Sequence, residues 1–578
     1  MVRWRTRFRR WLALEKGALA RHHAAQTRIA QACRRSLRRG RNLLGRGWKI
    51  PWKRLIAWCG AAALCGGLYS QSHTPAERLL ATFTLGVVTL MVIRGKPFRR
   101  GAPTAGSDLD APLMAFDREN AFTLRGLLAN LIVFGRTGSG KTSGSGASLL
   151  RGILRHPRSG GIVLANKPED RPDFARLAEK TGRAHDVFWF SPTDPLRFNV
   201  LDHVYRVSGG NTREIVSCLI TIGETLRNGS RGGHRGGDAD FWRQMNEQLL
   251  YHAVQSIKLA RKEVSAADLQ RFLNGAARSA DELRSEIWRQ GFHSEVLQAA
   301  LAASKSAADA IDCEEAIAFF LNHWPHLADR TRSSIEVGVN SILFVFNTGL
   351  ARELISSSTN FDIGALANGK WLFVDTSPSV LGDAGLLVGA CVKYVVQRDI
   401  LRREGRAGEG FVVVWLDEYA QWATSFDARQ FLPMCRSHRG AMVALTQSIH
   451  GLRATLGGTS DHESSALLSN FHHRIFHALG STEDAEFASE LVGKRHRMLL
   501  GGSLAPAESL GEELFGGRSR VTSSFSTQLE AVVQPRAFLN GLRCGGPENE
   551  FLTDAIIVRT GEPFANGENL LRTTFRQS

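Results

Sequence analysis

The sequence predicts an α/β protein built around a phosphate-binding loop. Three observations carry this reading. Residues 135–142 fill every fixed position of G-x-x-x-x-G-K-[ST]; apolar, strand-like runs recur between helix-like stretches; and one of those runs ends in adjacent carboxylates, Asp417 and Glu418. At 578 residues the chain is long enough for more than one domain and a large core.

In chain order, the first element is a basic tail. Residues 1–54 hold 17 of the 73 Lys/Arg and one acid, Glu15, so all but +2 of the +18 net charge lies there. The alkaline balance therefore belongs to a tail that attracts anionic lipid or nucleic acid, not to the catalytic body. Two apolar runs follow, Leu55–Tyr69 and Leu79–Ile93, each of 15 residues. The connector Ser70–Glu77 lacks Lys and Arg, whereas Trp52-Lys-Arg54 and Arg94-Gly-Lys-Pro-Phe-Arg-Arg100 flank the pair. The positive-inside rule makes 55–93 a transmembrane hairpin with both ends in the cytoplasm. A helical hairpin buried in a soluble protein is the competing description. The eight cysteines are scattered without metal-site or disulfide spacing, which fits a reducing compartment.

Residues 130–142 then read as a buried strand running into the loop Gly135-Arg136-Thr137-Gly138-Ser139-Gly140-Lys141-Thr142. The glycines let backbone N–H groups turn inward around phosphates, and the following helix adds its N-terminal dipole. Lys141 is placed to neutralise the β- and γ-phosphates of ATP, and the Thr142 hydroxyl to ligate Mg²⁺. Further strands are expected at Gly161–Ala165, Val187–Phe190, Trp371–Asp375, Phe411–Leu416, Ala441–Leu445, Arg474–His477 and Ala555–Val558. Their alternation with helices argues for a mostly parallel sheet. The stretch 212–335 has almost no strand signal and reads as an all-α insertion between two halves of the nucleotide-binding domain, 94–211 and 336–578. Gly501–Phe525, rich in Gly and Ser, is expected to be loop.

A phosphate loop needs an acid for the metal and a group that activates water. Phe411-Val-Val-Val-Trp-Leu-Asp-Glu418 supplies both, with Asp417 on Mg²⁺ and Glu418 polarising the attacking water. Thr446-Gln447-Ser448 closes the next strand, where the Gln447 amide can sense the γ-phosphate. Arg436 and Arg439 lie between those two strands. An arginine there can serve a neighbouring subunit's site as a finger, although by spacing alone such arginines are ordinarily surface salt-bridge formers.

The series of motifs resembles the type IV secretion coupling proteins, the TraG/TraD-like conjugation ATPases. It comprises the apolar hairpin, the phosphate loop, Gly161-Ile-Val-Leu-Ala-Asn-Lys-Pro-Glu169 and Phe198-Asn-Val-Leu-Asp202. A helical insertion follows, then Phe361-Asp-Ile-Gly-Ala-Leu-Ala-Asn-Gly-Lys370, Leu416-Asp-Glu418, Arg436, Thr446-Gln447-Ser448 and Leu468-Ser-Asn470. The resemblance covers roughly 50–570. It implies a RecA-like P-loop NTPase domain in a homo-hexameric ring under the bacterial inner membrane, multi-pass, with its catalytic domain in the cytoplasm. Such a ring moves single-stranded DNA with its relaxase, or a protein substrate, into the components of a type IV secretion channel. The resemblance also makes Arg436 the finger acting in trans and Gln447 the γ-phosphate sensor.

Three departures stand out: the length of the tail, the brevity of the 70–77 connector, and Asn166 where the family has Asp before Lys-Pro-Glu. Two other readings share the site: a HerA/FtsK-like translocase acting on duplex DNA, and a membrane docking receptor that is not a motor. Arg231, Arg235 and Trp242, in or beside the Gly/Arg loop Asn228–Asp238, are candidate DNA contacts, with solvated loop as the plainer description.

Overall fold

The structure is a computed structural model, and it describes residues 108–229, 238–303, 306–406, 408–456, 462–505 and 520–577. The expected tail at 1–54, the hairpin at 55–93 and the candidates Arg231 and Arg235 lie outside the described residues.

The strands are β1 (Pro112–Ala115), β2 (Ala121–Thr123), β3 (Leu131–Phe134), β4 (Ser159–Leu164), β5 (Val187–Phe190), β6 (Trp371–Val374) and β7 (Phe411–Leu416). After these come β8 (Gly440–Thr446), β9 (His473–Phe476), β10 (Lys494–Ala505), β11 (Arg520–Ala531), β12 (Leu552–Arg559) and β13 (Leu570–Arg576). Nine of them form one sheet in the order β13-β12-β9-β3-β8-β7-β4-β6-β5. From β9 to β5 every neighbouring pair is parallel, while β12 and β13 add an antiparallel edge. All seven strand expectations are met to within a few residues; apart from Arg474–His477, each is a near-continuous apolar run of the kind that a sheet covered on both faces requires.

Side chains alternate between two cores. Ile132, Phe134, Val412, Val414 and Leu416 enter the core under the helices that follow β5, and Leu131, Val133, Phe411, Val413 and Trp415 enter the opposite one. The second core is closed by the helix Ala147–Arg155, whose Leu149, Leu150, Ile153 and Leu154 form one apolar stripe. From Thr212 to Ile355 the described residues are helical, with Thr212–Gly229, Asp238–Arg261 and Asp329–Phe346 the longest elements.

Among the described residues one helix, Pro378–Arg402, kinked near its start at Gly382, is long and apolar enough to cross a membrane. Its residues Gly385 to Gln397 are all buried in the protein. The helix carries a buried ion pair, Lys393 Nζ to Asp427 Oδ2 at 2.6 Å. Gln397 and Tyr419 also donate to that carboxylate, which leaves no charge on it unpaired.

One expectation is corrected. Gly501–Ala505 and Arg520–Phe525 are not loop but the outer halves of β10 and β11, which pair antiparallel from Lys494↔Ala531 to Ala505↔Arg520. Cross-strand hydrogen bonding outweighs the weak strand preference of Gly and Ser.

Candidate functional site

Parallel sheets gather their loops at the carboxyl ends of the strands, and here the phosphate loop leaves β3 at that edge. The loop holds Gly138 at φ +76° and Gly140 at φ +84°, a left-handed turn that aims successive N–H groups inward. Lys141–Gly146 forms a wide π-type turn that leads into the helix Ala147–Arg155. In this turn Lys141 is buried and Thr142 exposed.

β8 lies between β3 and β7. The acid pair that closes β7 therefore stands one strand away from the loop, and the residue after β8 emerges in the gap. The structure brings these groups together. Lys141 Nζ donates to Glu418 Oε1 at 3.0 Å, and Thr142 Oγ1 donates to Asp417 Oδ2 at 3.0 Å. Gln447 Nε2 donates to Glu418 Oε1 at 2.9 Å, and Gln447 Oε1 accepts from Thr137 Oγ1 at 3.2 Å. Glu418 sits in the left-handed region at φ +51°, a conformation that costs a non-glycine residue energy and that marks functional turns. Its N–H donates to Asp417 Oδ1 at 2.9 Å.

The groups line a cavity of about 750 Å³ that extends past Asn166, Lys167 and Asp170. Burial raises the Asp417 carboxyl above its ordinary value. The charge of Lys141 and the Thr142 hydrogen bond oppose that rise, while the nearby Asp170 and Glu418 carboxylates add to it. The donor set next to the loop is oxygen only, the hard ligands that suit Mg²⁺, and the loop's buried Ser139 Oγ has no partner among the described residues.

Several supports lie far away in sequence. Thr553 Oγ1, on β12, donates to Ser139 O at 2.7 Å. His477 places Nε2 at 2.7 Å from Ser145 Oγ and Nδ1 at 3.0 Å from Asp554 O. Its imidazole is pushed down to about 4, mainly by burial, so it is neutral. Gln577 Nε2 donates to Ser143 Oγ at 2.8 Å. Asp170 Oδ2 accepts from the N–H groups of Asn166 and Lys167 at 2.8 and 2.9 Å and fixes that turn at the cavity wall. Thr553, His477 and Gln577 lie in no motif, and Asp170 lies just past one. Only their position beside the loop in space identifies them.

The arginines stand elsewhere. Arg436 is exposed in the turn Cys435–His438 ahead of β8. At about 3.3 Å per residue the seven-residue strand holds it roughly 23 Å from the site end. It does not reach the Lys141–Glu418 cluster of its own chain. Arg439 is buried, and its Nη2 donates to Asp108 Oδ2 at 2.5 Å, a structural tie. Trp242 is half-buried against the helical core.

Residues 100–503 match the family model of the type IV secretory system conjugative DNA transfer proteins. No curated protein sequence matches the chain. Among solved structures, the bacterial conjugative coupling protein TrwBdeltaN70 in its unbound monoclinic form is similar at 16% identity and TM-score 0.48, covering 79% of this chain and 88% of that one. The plasmid coupling protein TrwB with the non-hydrolysable ATP analogue ADPNP is similar at 15% identity and TM-score 0.48, over 78% and 88% of the two chains. The same protein with ADP and Mg²⁺ is similar at 14% identity and TM-score 0.49, over 78% and 87%.

Proposed function

The chain belongs to the type IV secretory system conjugative DNA transfer family as a type IV coupling protein, and from this we propose that it is an ATP hydrolase whose turnover drives DNA into a secretion channel. The observation that carries the reading is the cluster in which Lys141 and Thr142 of the loop meet Glu418 and Asp417 of β7 at 3.0 Å each. Binding alone would need the loop. A water-activating carboxylate held 2.9 Å from a strand-end amide is the further part that hydrolysis needs.

In this reading the backbone of Gly135–Thr142 cradles the triphosphate, and Lys141 neutralises its β- and γ-oxygens. Thr142 and Asp417 hold Mg²⁺, which when bound offsets the charge on the transferring phosphoryl group. Glu418 orients and polarises the attacking water, and Gln447, bonded to Glu418, links that carboxylate to the γ-phosphate position. Arg436 cannot act on its own chain's nucleotide, so it serves the site of the next protomer in a homo-hexameric ring. The hairpin at 55–93 anchors the ring in the bacterial inner membrane with residues 1–54 and 94–578 in the cytoplasm. The helical segment 212–335 forms a domain inserted into the nucleotide-binding domain. The cargo is single-stranded DNA with its relaxase, handed to type IV secretion channel components.

The test is ATP turnover by the full-length chain with Mg²⁺, with and without single-stranded DNA, beside Lys141→Ala. Stimulation by single strands that vanishes in Lys141→Ala supports the motor. A verified assembly that binds Mg²⁺·ATP yet never hydrolyses it would leave only a docking receptor.

A further inference from the structure

Among the described residues, β10 and β11 form a ribbon that pairs with no other strand. Its two legs close at the base, where Val532 N donates to Gly493 O at 3.0 Å, and Ser489 Oγ of the helix Thr482–Val492 donates to Val533 O at 2.6 Å. The first four residues of β10 are Lys494, Arg495, His496 and Arg497, the longest uninterrupted run of basic side chains among the described residues, and all four are exposed. The one acid on β11, Glu530, stands opposite Arg495 near the strand's end and is bonded to Arg497 at 3.1 Å. Lys494 and Arg495 make no ion pair among the described residues.

Strand geometry distributes this charge. Arg495 and Arg497 occupy one face, and Lys494 and His496 the other, so both sides of the ribbon are positive. The second face also shows Met498 and Leu529, 70% and 54% exposed, with Leu529 directly opposite His496. Cations beside exposed apolar atoms match a polymer of phosphates and flat apolar bases. The charge is also local, since residues 55–578 together carry only +2.

We propose that this ribbon is a nucleic-acid contact, with Lys494, Arg495 and Arg497 on the phosphate backbone and the Met498–Leu529 face against bases. The contact is sequence-independent, because nothing in it reads base edges. The inference rests on the DNA-transfer reading above and names where the polymer touches the chain.

The experiment is fluorescence anisotropy of a labelled single-stranded oligonucleotide with the full-length chain over a salt series. A Lys494→Ala/Arg495→Ala/Arg497→Ala variant is expected to bind more weakly and to flatten the log–log salt slope by about 0.7 per lost phosphate contact, about 2 in all. Its DNA-free ATP turnover and oligomeric state stay unchanged. The charge-preserving Lys494→Arg/Arg495→Lys/Arg497→Lys variant is expected to bind like the parent. A triple-alanine variant with the parent's slope and affinity overturns the inference and leaves the DNA reading standing. So does one whose only defect is a changed oligomeric state, which makes the ribbon a subunit contact. If the parent chain binds no nucleic acid, the DNA-transfer reading itself falls.

Discussion

Lys141 and Glu418, 277 residues apart in sequence, form a buried ion pair with Nζ 3.0 Å from Oε1. The cation that faces phosphate and the carboxylate that faces water are thus held in one contact. Their removal has different consequences. Glu418→Gln keeps an acceptor for Lys141 and is expected to retain nucleotide affinity while kcat falls by about 10²- to 10⁴-fold. Lys141→Ala is expected to lose nucleotide affinity as well. Equilibrium binding of a fluorescent ATP analogue, read beside turnover, separates the two. Equal affinity losses in both variants would show that Glu418 serves only to hold the loop.

Gln447 bridges Glu418 at 2.9 Å and Thr137 at 3.2 Å. Gln447→Ala removes both contacts without touching the charges. The expected result is a fall in kcat of roughly tenfold with little change in KM, since the amide orients a group and does not carry the binding charge. A rise in KM at constant kcat would assign Gln447 to ground-state binding instead.

The β12 side chain Thr553 packs on the loop, and two glycines make room for it in different ways. A Cβ at Gly144 would lie 2.4 Å from Thr553 Cγ2, whereas a Cβ at Gly140 would meet the same side chain at 2.8 Å and also be held at φ +84°. Gly144→Ala is therefore expected to impair nucleotide binding and to be rescued by Thr553→Ser, which deletes the methyl and keeps the hydroxyl. Gly140→Ala is expected to resist the same rescue, because its backbone strain of about 1–3 kcal/mol remains. Titration calorimetry with Mg²⁺·ADP on the two double variants decides it.

Stability should depend on pH through four buried imidazoles. Burial pushes His252, His293 and His477 down to about 4 and His473 to about 3, against an unfolded value near 6.5. Between those limits the unfolded chain binds more protons than the folded one, so stability rises with pH there. It is fully present above about 6.5 and is lost progressively as pH falls toward 4. Urea unfolding midpoints across that range should fall with acidity, and His477→Gln should flatten part of the slope. A midpoint independent of pH between 4.5 and 6.5 would contradict the neutral, buried assignment.

The loop, the acid pair and every strand of the parallel sheet were legible in the chain because each is written in contiguous residues. Gly135–Thr142 must have those side chains for its own backbone to turn, and Phe411–Leu416 must be apolar throughout if both of its faces are covered. Strand order has no such local trace. That β8 slots between β3 and β7, so that Gln447 reaches Glu418, follows from crossovers that bury the sheet as a whole. The same holds for Thr553, which meets Ser139 from 414 residues away. Composition even pointed the wrong way at Gly501–Ala505 and Arg520–Phe525, where the pairing of β10 with β11 outweighs weak local preference. The sequence determined which chemical groups the protein owns; only packing of distant segments decided which of them touch.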